Sequence, residues 1–72
     1  MKKNILIAGA GGHAKVIAYT ILACGDFVAG FLDDKFPQGK EVIPGFKCLG
    51  PISDKFVTDT SVTHFVVGIG DD

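Results

Sequence analysis

A chain of 72 residues is one small domain at most, and at that length only about 60% of the unfolded surface is buried, so the core is thin. A composition of 47% hydrophobic and 21% charged residues excludes a disordered or fibrous chain; the net charge of −1 and the scattered lysines exclude a basic face for nucleic acid or a membrane surface. Cys24 and Cys48 are too few and too far apart for a disulfide framework or a metal knuckle, and each reads as a buried free thiol in a reduced, cytoplasmic compartment.

The opening "MKKNILIAGA" has the basic start and apolar run of a secretion signal, and "ILAC" at residues 21–24 imitates a lipoprotein cleavage site. Gly9, Gly11, Gly12, His13 and Lys15 interrupt the stretch that a signal needs unbroken, so secretion is rejected. No window reaches the roughly 18 apolar residues of a membrane span.

"KNILIAG" is a short apolar run closed by glycine, which suits a strand buried on both faces of a parallel sheet. The period then changes. Ala14, Ile17, Ala18 and Ile21 fall on one helical stripe, and Gly25 supplies a left-handed stop, so a helix is predicted from Gly12 to Cys24. "DFVAGFLDD" reads as a second strand from Phe27 to Leu32, closing on paired carboxylates and completing a right-handed βαβ unit.

Residues 35–50, rich in proline and glycine, predict a loop and a short hairpin, Glu41–Ile43 with Phe46–Leu49, turned at Pro44 and Gly45. Pro51 suits the first position of a short helix. "THFVVGIG" reads as a third buried strand. The fold class is therefore α/β: a small Rossmann-like βαβ unit with a short parallel sheet of three main strands plus a hairpin excursion. A parallel strand needs cover on both faces, and no helix follows Asp72. Residues 1–72 are thus expected to be the amino-terminal domain of a longer protein, with exposed apolar surface around Phe65, Val66 and Val67.

Gly9, Gly11 and Gly12 lie where the first strand hands over to the helix. There the backbone can turn sharply and a ligand can come close. The first helical amides lack partners and carry the positive end of the dipole, so a phosphate at the amides of Gly12, His13 and Ala14 is the expected occupant. Gly9, Gly11 and Ala14 also satisfy the relaxed dinucleotide pattern G-x-G-x-x-G/A, with Asp33 near the place of the ribose-binding acid. Asp33 and Asp34 close the second strand on the ligand-binding rim of an open α/β sheet, and Gly68, Ile69, Gly70 and Asp71 close the third on the same rim. His64 belongs to the opposite rim, and Lys15 to the exposed side of the helix.

"ILIAGAGGHAKVIA", "GFLDD", "CLGPI" and "FVVGIGDD", in that order across nearly the whole chain, resemble the amino-terminal domain of the bacterial sialic-acid O-acetyltransferase and UDP-amino-sugar N-acetyltransferase family. The resemblance implies a nucleotide-sugar-binding domain in which Gly9, Gly11, Gly12 and His13 meet the diphosphate. Asp33, Asp34 and Lys35 would meet the uracil or ribose, and Gly68, Ile69, Gly70 and Asp71 the sugar end. It implies further that the acetyl-coenzyme A site and the catalytic histidine lie in a following left-handed β-helix that trimerises. That part is absent from this chain, so neither histidine here inherits a catalytic role, and no cofactor or metal is assigned. In the full-length protein a base would activate an amine or hydroxyl of the sugar to attack the thioester, while this domain holds the acceptor. The bottom-up chemistry leaves two other readings open. One is the first half of a nicotinamide- or flavin-dependent oxidoreductase; the other is a non-catalytic nucleotide-binding regulatory module.

Overall fold

The computed structural model describes residues 2–52 and 61–68. In chain order these form β1 (Asn4–Ala8), α1 (Gly12–Ala23), β2 (Phe27–Leu32), β3 (Glu41–Ile43), β4 (Phe46–Gly50) and β5 (His64–Val67). The helical turns expected after Pro51, and Ile69, Gly70 and Asp71, lie outside the described residues.

The strands make one sheet in the order β3-β4-β2-β1-β5. β1 pairs in parallel with β2 on one side and β5 on the other, so the α/β reading with three parallel strands holds. The hairpin does not stand apart from them. β4 extends the sheet in parallel beside β2, and β3 turns back antiparallel to form the edge. The chain thus leaves β1 in one direction and returns on its other side. That reversal puts the topological switch point, where open α/β sheets bind ligands, at the carboxyl ends of β1 and β5.

Each element follows from its residues. Ile5, Leu6, Ile7 and Ala8 are all buried, as an interior parallel strand requires. α1 lays Ala14, Ala18 and Ile21 on the sheet, and the two alanines allow a close approach. Its end is a Schellman turn: the Gly25 amide donates to Leu22 O at 3.0 Å and the Asp26 amide to Ile21 O at 3.2 Å. Cys24 is the carboxyl cap and is exposed, against the expectation of a buried thiol, because the helix ends before the stripe can return it to the sheet. Cys48, on β4, is buried as expected.

Phe31, Leu6, Ile7, Leu32 and Cys48 are the largest fully buried side chains. Full burial of a Leu, Ile or Phe contributes about 1.5–3 kcal/mol, so these few residues carry much of a small domain's stability. On β5, expected as a buried strand, only Val66 packs on the core, while Phe65 and Val67 are 40% and 62% exposed as part of the anticipated apolar strip, because β5 ends the strand order. Among the described residues no helix is long and apolar enough to cross a membrane.

Candidate functional site

The site is assembled at the carboxyl ends of β1, β2 and β5. Gly9 has φ +118°, a conformation that L side chains rarely adopt, and its amide donates to Leu32 O at the end of β2 at 2.6 Å. Ala10 follows, buried, with its amide donating to Asp33 Oδ2 at 3.0 Å. Gly11 is the amino cap of α1, extended at φ −84° and ψ −169°. No side chain caps the helix and no acidic residue lies in its first turn. The carbonyl of Gly11 accepts the Lys15 amide at 3.1 Å, which begins the helical ladder.

Gly11, Gly12 and His13 are exposed. Ala14 is fully buried against the sheet. Of the three residues whose amides were expected to meet a phosphate, Gly12 and His13 are therefore exposed and Ala14 is buried. His13 and Lys15 are both exposed.

The second loop begins with Asp33, which is half-buried, and its amide donates to Gly50 O at 3.0 Å. Its carboxylate accepts three backbone amides: Ala10 on Oδ2, with Lys35 at 2.8 Å and Phe36 at 3.1 Å on Oδ1. A carboxylate offers about four lone-pair sites, so one remains for a ligand. Asp34 is exposed, and its Oδ1 accepts the Ile52 amide at 2.9 Å, tying the turn to the exit of β4. Lys35 is exposed beside it.

Gly68 closes the third side. Its amide donates to Ala8 O at 2.7 Å, and it lies so near α1 that an added Cβ would stand 3.1 Å from Ala14 Cα. The structure thus brings Gly9, Gly11, Gly12, His13, Asp33, Asp34, Lys35 and Gly68 to one rim. His64 starts β5 at the other end of the sheet, 2.9 Å from Thr63 Oγ1 through Nδ1, as anticipated. Among the described residues no group of three or more His, Cys, Asp or Glu could hold a metal ion.

Sequence reasoning missed Ala10, Gly50 and Ile52, which bind the rim loops to one another through backbone groups. No pattern of residue types signals such bonds.

The chain matches the family model of the PglD N-terminal domain over residues 4–72, and it belongs to that family. This agrees with the resemblance read from its motifs, since the family forms the amino-terminal part of nucleotide-sugar acetyltransferases. No curated protein matches the chain.

Proposed function

We propose that this PglD-type amino-terminal domain binds a nucleotide-activated sugar of the UDP-amino-sugar type. It would orient the sugar as acceptor for acetyl transfer from acetyl-coenzyme A by a downstream β-helix domain. The observation that carries the reading is the uncapped start of α1 at the switch point, in a chain of this family. Two or three amides there could each give a charged oxygen a hydrogen bond of about 1.5–3 kcal/mol. Gly9 shapes the turn, Gly11, Gly12 and His13 receive the diphosphate, and the loop that Asp33 opens, with Asp34 and Lys35, faces the nucleoside. Gly68, followed by Ile69, Gly70 and Asp71, lies toward the sugar. No residue of this chain is assigned a proton-transfer step. Its contribution is to convert a bimolecular encounter into a positioned one. The full-length protein would be a cytoplasmic homotrimer.

The test is calorimetry of the chain against UDP, UDP-N-acetylglucosamine, CMP and NAD in parallel. Saturable uridine-nucleotide binding, lost in Gly12→Val, supports the proposal. Tighter binding of CMP would redirect the substrate to activated sialic acids, and a preference for NAD would overturn the acceptor-domain reading. Bound ligand should also raise the melting temperature, by a stabilisation of about 2.7 kcal/mol at a hundredfold excess over Kd.

A further inference from the structure

An acid at the end of β2 reads most simply as a ligand for a ribose hydroxyl, yet the hydrogen bonds of Asp33 point inward. Oδ2 takes the amide of Ala10 from the first loop, and Oδ1 takes those of Lys35 and Phe36 from the second. Two loops separated by 23 positions in sequence therefore meet on one side chain. Only an ionised carboxylate of this length accepts on both branches. An asparagine presents an NH2 on one of them, and a protonated acid presents an O–H.

The location matters as much as the bonding. Ala10 immediately precedes Gly11, the first exposed residue of the anion cradle. With Gly9 bonded to Leu32 O and Ala10 bonded to Asp33, the loop is fixed to β2 on two consecutive amides before any ligand arrives. A fixed negative charge near an anion site repels the anion by simple Coulomb interaction. Its presence there calls for a compensating role, and holding the loop in its binding geometry is one.

We propose that Asp33 is a positioning residue, a carboxylate clamp that preorganises the amides of Gly11, Gly12 and His13 for a diphosphate and is not primarily a nucleoside ligand. This rests on the acceptor-domain reading above. Asp33→Asn keeps the shape but loses one acceptor branch. Under the clamp, affinities for UDP and for inorganic pyrophosphate both fall by a similar factor, roughly tenfold, because preorganisation is lost for any anion. If Asp33 instead contacts ribose, only UDP weakens, and pyrophosphate binds as well or better once the charge is gone.

Two further measurements guard the inference. Hydrogen exchange at the Ala10 amide should accelerate in Asp33→Asn without ligand, while the amides of β1 and β2 keep their protection. Replacing the Ala10 amide by an ester in the semisynthetic chain removes the donor and spares the carboxylate, and it too should weaken pyrophosphate. Unchanged pyrophosphate affinity in either variant, or unchanged Ala10 exchange in Asp33→Asn, overturns the clamp. A parent chain that binds neither probe refutes the acceptor-domain reading instead, and Ala10 exchange still decides whether the loop is clamped.

Discussion

Gly68→Ala tests the wall of the site. Gly68 is not among the positive-φ glycines, so the substitution introduces no backbone strain and isolates the close approach of β5 to α1. The new methyl would lie 3.1 Å from Ala14 Cα, 3.2 Å from Ala14 Cβ and 3.2 Å from Ile7 Cγ2. Carbon atoms pack comfortably at about 3.5–4.0 Å, so each neighbour must yield by a few tenths of an ångström. Ala14 and Ile7 are fully buried, and the nearest contact is helix backbone, which cannot swing aside. Overpacking of this kind costs about 1–3 kcal/mol. In a domain of this size each kcal/mol moves the melting temperature by roughly 4–8 °C, so a fall of about 10 °C is expected. Thermal unfolding followed by circular dichroism measures it. A melting temperature within about 2 °C of the parent would refute the packing of β5 against the start of α1, since 2 °C is only about half the smallest shift the contact allows.

Gly9→Ala places a side chain at φ +118° and is expected to destabilise by about 1–3 kcal/mol, read as a lower denaturant midpoint at constant slope. A thiol reagent should label Cys24 quickly and Cys48 only on unfolding, so one fast thiol in the native chain and two in denaturant are expected; two fast native thiols would contradict the burial of β4. Phe31→Ala empties the centre of the core at an expected cost of about 3–5 kcal/mol, which should abolish the cooperative melt of so small a domain.

What the sequence disclosed was set by periodicity and punctuation. The stripe Ala14, Ile17, Ala18 and Ile21 with Gly25 after it located α1 to within a residue, and Pro44 with Gly45 located the hairpin turn. The approximate rim of the site was legible too, because strand ends carry their ligands on one side of an open sheet. What escaped was whatever depends on adjacency between distant residues. β4 joining β2 could not be read from a hairpin pattern, since strand order is not written in local periodicity. The bond from the Ala10 amide to Asp33 escaped for the same reason, since a backbone donor carries no side-chain signature. Cys24 was misjudged because apolar neighbours predict burial only where the helix continues, and there it stops.

The missing cap on α1 joins stability to binding in a way a single substitution can separate. Gly11 already has the extended backbone of an amino cap, a conformation that serine adopts without strain. In Gly11→Ser the hydroxyl oxygen would accept the amide of His13 or Ala14, satisfying a donor that glycine leaves to solvent or ligand. Serine exceeds glycine as a cap by a few tenths of a kcal/mol, so the free chain should melt about 1–3 °C higher. The same oxygen competes with a phosphate for the helix start and carries a partial negative charge toward it, so UDP should bind more weakly. A gain in stability paired with a loss in affinity is the expected signature. If affinity holds while stability rises, the diphosphate does not use the start of α1, and the glycines at 11 and 12 serve only the turn.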